Sequence, residues 1–227
     1  AVAGYAEMLL ATETDPRKAR FLGQISAGAS QVTSLIETLA RLGNGDEMSQ
    51  EETDIAEIAR REVERLGRQD LKGITIASDL PEEPVFVRGR SARLEDALSR
   101  LTRNAIEAMP SGGGLRLALR TEVPGLALKQ RFPSLPEEPC TFLSVQDEGV
   151  GIGEDRIHRI FEPYVTTKGP GASKGTGLGL AIVYALVQDL GGGIEVDSIP
   201  DEGTTISLVL PPGFGLQAPK DAPIESP

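Results

Sequence analysis

The stretch "DEGVGIG" (residues 147–153) closes the apolar run "TFLSV" with an aspartate and three alternate glycines. A second glycine-spaced stretch, "GTGLGLAIVYALV" (175–187), runs straight into an apolar helical pattern. Asp147 falls where a strand ends, so its carboxylate sits at a sheet edge and can accept a hydrogen bond from an exocyclic amine such as that of adenine. Gly149 and Gly151 would let the backbone approach a base and sugar with no Cβ in the way. By itself a D-x-G-x-G reads as an ordinary turn. Gly175, Gly177 and Gly179 open into a helix that starts near Leu178, and the unpaired amides of a helix N-terminus favour phosphate. The spacing is not that of a Walker loop, because no G-K-[ST] closes it, nor that of the dinucleotide fingerprint. A flexible hinge is the competing reading. Between the two stretches, "EDRIHRIFEPYVTTKGPGASK" (154–174) has many small residues in its second half, the composition of a lid that orders over a ligand.

Working outward, "SARLEDALSRLTRNAIEAM" (91–109) reads as a long helix capped by Ser91, with Leu94, Leu98, Leu101, Ala105 and Ala108 as its apolar stripe. Asn104 is out of place there, since asparagine is a poor mid-helix residue. Its amide carbonyl suits a Mg²⁺ shared with phosphates; a surface asparagine is the alternative. Thr53 or Asp54 can cap an earlier helix that carries Ile55, Ile58, Ala59 and Leu66 on one side. "GITIASDL" (73–80) and "VFVRG" (85–89) alternate as a pair of strands. Further strands are "LRLALRTE" (115–122), "TFLSVQDE" (141–148), "GIEVDS" (193–198) and "TTISLVLP" (204–211). Strand pairs separated by helices predict an α/β sandwich with a mixed sheet, covered by helices on one face. The segment "VPGLALKQRFPSLPEEP" (123–139) reads as a mobile loop insertion. The proline-rich end of the chain, residues 214–227, reads as a disordered tail.

Residues 1–45 have a different character. From Phe21 the apolar or small residues Ile25, Gly28, Val32, Leu35, Leu39 and Leu42 follow at alternating spacings of four and three, which is a heptad seam. Val2, Tyr5, Ala6 and Leu9 share a face of a preceding helix, with a break at Asp15–Pro16. A helical hairpin of this size cannot bury both its faces, so pairing of two copies into a four-helix bundle is expected, with packing of the same seam on the rest of the chain as the alternative. The polar, glycine-rich stretch from Gly43 to Gln50 marks the boundary, and a second domain runs over residues 50–213. The 227 residues carry a net charge of −11, which argues against a general nucleic-acid surface or an anionic membrane as partner. The one cysteine, Cys140, excludes an internal disulfide. No apolar run approaches the roughly 20 residues that span a bilayer. The chain opens without a methionine and reads as a fragment or a processed product, expected in the cytoplasm, with membrane attachment of the longer protein left open.

Four motifs in order, "RNAIEAM", "DEGVGIG", "FEPYVTTK" and "GTGLGLAIV", resemble the N, G1, F and G2 boxes of the ATP-binding domain of sensor histidine kinases. The heptad hairpin before them resembles the dimerisation and histidine-phosphotransfer domain of the same family, with "GYAEMLL" like its first helix just after the phosphoacceptor. The resemblance implies an α+β chain: a helical hairpin that dimerises, then a Bergerat-type ATP-binding fold. It implies that Asp147 binds the adenine amine, that Gly149 and Gly151 shape the pocket, and that Asn104 holds Mg²⁺. It places Gly175, Gly177, Leu178 and Gly179 at the phosphates with Lys168 as a phosphate partner, Phe161 and Pro163 as lid anchors, and Thr204 of "GTT" near the adenine. The implied activity is ATP-dependent protein histidine kinase, part of a two-component system. The γ-phosphoryl passes to a histidine and then to an aspartate of a response regulator receiver domain, under control of an upstream sensor domain.

Three departures bear on that reading. The family's second asparagine, four residues before Asn104, is Arg100 here. The phosphoacceptor histidine is expected just upstream of Ala1. The one histidine, His158, has the polar neighbours Asp155, Arg156 and Arg159 and reads as a solvated helix residue. These departures keep a second reading in play, a dimeric nucleotide-sensing scaffold that transfers no phosphate. Hydrolysis of the gyrase or heat-shock chaperone kind is disfavoured, because the glutamate base of those ATPases would stand where Arg100 does, and arginine cannot accept a proton.

Overall fold

Asp54 begins the folded domain by holding two segments at once. Its Oδ1 accepts from the Ala56 amide at 3.0 Å, the expected helix cap, and from the Val85 amide at 2.9 Å. The computed structural model describes residues 51–71, 73–163, 165 and 177–213, with Leu9, Asp15, Arg17, Lys18 and 21–23. The chain divides into two compact units, Ala1–Asp46 and Glu47–Pro227. Of the first, Leu9, 17–18 and 21–23 are helical. The rest of the heptad seam, the Gly43–Gln50 boundary and the 214–227 tail lie outside the described residues.

The second unit runs β1 (Glu52–Asp54), α1 (Ile55–Gly67), β2 (Ile74–Asp79), β3 (Phe86–Arg88), α2 (Ser91–Ala108), β4 (Gly113–Glu122), α3 (Leu126–Arg131), β5 (Cys140–Asp147), α4 (Glu154–Ile157), α5 (Gly179–Asp189), β6 (Gly193–Ile199) and β7 (Gly203–Leu210). Five strands form one sheet in the order β2-β4-β5-β7-β6. β2 and β4 are parallel and the other pairs antiparallel, the mixed sheet expected. "GITIASDL" and "VFVRG" do not pair with each other, however. Asp54 ties the start of the second segment to β1, so β3 joins β1 in a separate antiparallel ladder and β2 takes β4 as its partner. Among the described residues, no helix is long and apolar enough to cross a membrane.

The core lies between one face of the sheet and α1, α2 and α5. The predicted stripes supply it: Ile55, Ile58, Ala59 and Leu66 from α1, and Leu94, Leu98, Leu101 and Ala105 from α2. They meet Leu115, Leu117, Leu143, Leu208 and Ile194 from the strands. Ser91 is not the cap of α2. Arg90 holds that position with no side-chain cap bond, and the Ser91 hydroxyl donates to Glu95 Oε1 one turn on at 3.0 Å.

The insertion at 123–139 is packed and partly helical, contrary to the mobile loop expected. Phe142 and Val209 are cross-strand partners on the sheet face opposite Leu143 and Leu208, and apolar residues there need cover. Leu128, Phe132 and Leu135 supply it, forming with Cys140, Phe142 and Val209 a second buried cluster. The Phe132 ring rests on Gly193, and Arg120 stacks its guanidinium 4.6 Å above the Phe142 ring. Spacing analysis missed this because the segment is too short and too broken by proline to show a helical period.

One buried polar cluster joins α1 to α2. Glu62, 8% exposed, accepts two bonds from Arg65 at 2.6 Å each and one from the Thr102 hydroxyl at 2.5 Å. Burial alone would push its carboxyl up, but the bonds from Arg65 and Thr102 outweigh it and hold it below the usual range. A carboxyl lowered in this way stabilises the fold above its unfolded pKa, and that contribution is lost as the pH falls through the folded value. Thr102→Val, which keeps the shape and removes the donor, is expected to cost about 1–3 kcal/mol near neutral pH. The cost should shrink in acid, as urea denaturation at several pH values would show.

Candidate nucleotide site

Helix α2 brings the two glycine stretches together. Asn104 and Ala108 are one turn apart and therefore share a face. Ala108 touches the first stretch: its carbonyl accepts from the Val150 amide at 3.1 Å, and a Cβ on Gly149 would lie 2.6 Å from that same oxygen. Asn104 faces the second stretch, with its Nδ2 3.7 Å from where a Cβ of Gly179 would stand. One helical turn thus spans from the DEGVGIG loop to the N-terminus of α5.

On the first side, Asp147 is the last residue of β5 and 7% exposed. Its Oδ1 accepts from the Gly149 amide at 2.9 Å, and the Thr204 amide also donates to the carboxylate. Burial pushes its carboxyl up, and the two backbone bonds offset that only in part, so it stays above the usual aspartate range. Thr204 is its cross-strand partner on β7. Gly151 turns the loop at φ +64°, where a Cβ would meet the Ile199 carbonyl oxygen at 2.1 Å, so no other residue fits. Asp147, Gly149, Gly151 and Thr204 therefore form one cluster, in which two acceptor side chains share a sheet face beside exposed backbone.

On the second side, Leu178 stands at the N-cap of α5 with its own side chain buried, and no side chain caps the helix. The first-turn amides of α5 are thus free of a side-chain cap on the side that Asn104 faces. Gly177 has φ +65° in the approach to this turn. Phe161 packs its ring 5.3 Å from that of Tyr184 on α5, and Pro163 is exposed. Lys168 and Gly175 lie outside the described residues.

Arg100, which stands where the family has an asparagine, donates from Nε to Asp96 Oδ2 at 2.8 Å, an i,i+4 pair on its own helix. His158 is exposed at the C-cap of α4, in keeping with a solvated residue. Among the described residues, no group of three or more His, Cys, Asp or Glu could hold a metal by itself. Any cation here would draw its remaining ligands from elsewhere, and the neutral Asn104 amide fits a metal already carried by phosphates.

Sequence reasoning overlooked Ser198. Its hydroxyl accepts from the Ile152 amide at 2.8 Å, reaches the Gly203 carbonyl at 3.0 Å and meets the Thr204 hydroxyl at 2.8 Å. The available signal was parity: Ser198 ends "GIEVDS" on the same strand face as Ile194 and Val196, where a polar residue needs partners.

Comparison with known proteins gives the family. Residues 89–213, more than half of the chain, match the family described as histidine kinase-, DNA gyrase B-, and HSP90-like ATPase. The chain is 32% identical to the sensor kinase CckA of Brucella abortus over 200 residues, 88% of this chain and 21% of that protein. It spans about a fifth of the length of the curated relatives it matches first. The mycobacterial sensor histidine kinase MprB superposes with a TM-score of 0.56 at 30% identity, over 71% of this chain and 97% of that one. The full-length ShkA structure in complex with AMPPNP superposes with a TM-score of 0.63 at 26% identity, over 93% of this chain and 42% of that one. With a described domain of the matching mixed-sheet architecture and a family match over most of it, the chain belongs to the histidine kinase-, gyrase- and HSP90-like ATPases, as a histidine kinase ATP-binding core.

Proposed function

We propose that this chain binds Mg-ATP between the DEGVGIG loop and the N-terminus of α5, and presents the γ-phosphoryl to a histidine on the helical hairpin of a dimer. The phosphoryl group then passes to an aspartate of a response regulator receiver domain. The observation that carries the reading is the face of α2 on which Asn104 and Ala108 stand one turn apart, touching the phosphate-type and base-type stretches in turn. A bound Mg-ATP would supply the transferable phosphoryl group and the cation that neutralises its oxygens.

The residues of the chain do the rest. Asp147, ionised, accepts from an exocyclic amine and so orients an adenine, with Thr204 beside it. Gly149 and Gly151 keep side chains out of the space beside the base. The first-turn amides of α5, with no side-chain cap among the described residues, and the amide of Asn104 face the phosphate side, where negative charge must be held and positioned. Phe161, stacked on Tyr184, is placed to anchor the lid that the family resemblance implies. The family resemblance alone assigns Lys168, Gly175 and Gly177 to the phosphates and Pro163 to the lid. Dimerisation through the hairpin is supported by the heptad seam, whose first apolar residue, Phe21, is 63% exposed. Arg100 offers no proton acceptor, which speaks against activation of water for hydrolysis.

Calorimetric titration with ATP, with and without Mg²⁺, tests the reading. Asp147→Ala should abolish binding and leave the fold intact; unchanged affinity would overturn the assignment. Binding without transfer to a restored upstream histidine would favour the scaffold reading instead.

Asn104→Ala should weaken binding more in Mg²⁺ than in EDTA, and equal losses would remove the metal role. The raised carboxyl of Asp147 gives a further check with a definite sign. Its contribution to fold stability is present below its unfolded pKa and is lost as pH rises through the folded value. Urea denaturation should therefore show Asp147→Asn gaining stability relative to the parent as pH rises from about 4 to 7. ATP affinity should move oppositely and fall in acid, because only the ionised carboxyl accepts from the amine at both oxygens.

A further inference from the structure

Asp147, Thr204 and Ser198 form a row across three adjacent strands. Asp147 on β5 pairs with Thr204 on β7, and Thr204 pairs with Ser198 on β6, so the three side chains share one face at the end of the sheet. Cross-strand partners in such ladders stand close enough to exchange hydrogen bonds.

The Ser198 hydroxyl has one hydrogen and three neighbours. The Ile152 amide can only donate to it, at 2.8 Å. The Gly203 carbonyl can only accept from it, at 3.0 Å. The Thr204 hydroxyl, at 2.8 Å, can do either. Only one arrangement satisfies all three contacts: Ser198 gives its hydrogen to Gly203, and Thr204 gives its hydrogen to Ser198. The Thr204 oxygen then has lone pairs alone to offer a ligand. Beside it, the ionised Asp147 also only accepts.

We infer that Ser198 is a specificity-determining positioning residue. By taking the hydrogen of Thr204 it leaves Thr204 and Asp147 both as acceptors toward the position-six substituent of a purine, which favours an amine there and disfavours a carbonyl. Ser198 does this without touching the base, through Thr204, while its bond to Ile152 holds the Gly151 turn against β6. The inference rests on the nucleotide-site reading above and adds to it the origin of base choice. A carbonyl aimed at these two acceptors meets lone pairs with no hydrogen between them, an unpaired contact that discriminates strongly in a buried site.

The test is a calorimetric comparison of ATP with inosine triphosphate, which carries the carbonyl. The parent protein should prefer ATP. Ser198→Ala frees the Thr204 hydrogen to rotate toward the ligand, and the ratio of the two affinities should fall about tenfold. Ser198→Thr keeps the hydroxyl and should keep the ratio. Thr204→Val should lower the ratio by itself, and adding Ser198→Ala to it should change the ratio no further. An unchanged ratio in Ser198→Ala, or an equal loss for both nucleotides, overturns the inference. If Ser198→Ala does not fold, an unchanged ratio in Thr204→Val overturns it equally. A parent protein that binds both nucleotides alike also overturns it and spares the site, whereas one that binds neither defeats the site reading itself.

Discussion

The bond from the Val150 amide to the Ala108 carbonyl sets the geometry on which the candidate site depends. It lies at the last turn of α2, where helix carbonyls lack partners within the helix. By accepting from the loop, Ala108 satisfies its own orphan oxygen and fixes the height of the DEGVGIG segment above the sheet. The approach is close enough that any side chain at Gly149 would collide with it. The same helix is held from behind by Leu94, Leu98 and Leu101 in the core and by the Thr102–Glu62 bond to α1. A loop that looks free in the sequence is therefore seated on a helix packed into the core.

Legibility followed the reach of each signal along the chain. The periodic positions of α1 and α2, the Asp54 cap and the alternation of the strands are local, and they appear where expected. Ordered motifs were enough to bring Asp147 and Asn104 into one functional reading, because the family resemblance carries spatial knowledge that spacing lacks. Strand partnership was not legible. β3 follows β2 closely in sequence yet pairs with β1, since the Asp54 side chain captures the Val85 amide from a distant turn. The role of Ser198 was hidden for a similar reason: its three partners come from the loop at Ile152 and the turn at Gly203–Thr204. The cover over the back of the sheet was misread because its need arises from Phe142 and Val209, which only the folded register places side by side.

Charge placement on α2 follows a comparable logic. Arg100 replaces a neutral amide in the family pattern, yet its guanidinium is held by Asp96 one turn away. The arginine side of the pair is only about a quarter exposed, so the cation is partly neutralised within its own helix. Among the described residues, the groups on this side of the site are the first-turn amides of α5 and the Asn104 amide, which carry no net charge.

The second cluster behind the sheet also has a chemical consequence. Cys140, the one cysteine of the chain, stands fully buried at the start of β5 against the insertion. Burial pushes its thiol up to about 11, so at neutral pH it is neither ionised nor reachable. Alkylation of this sulfur can proceed only when the insertion lifts away, which makes its labelling rate a native clock for opening at the back of the sheet. That clock reports on the cluster that Leu128, Phe132 and Leu135 form with Phe142 and Val209.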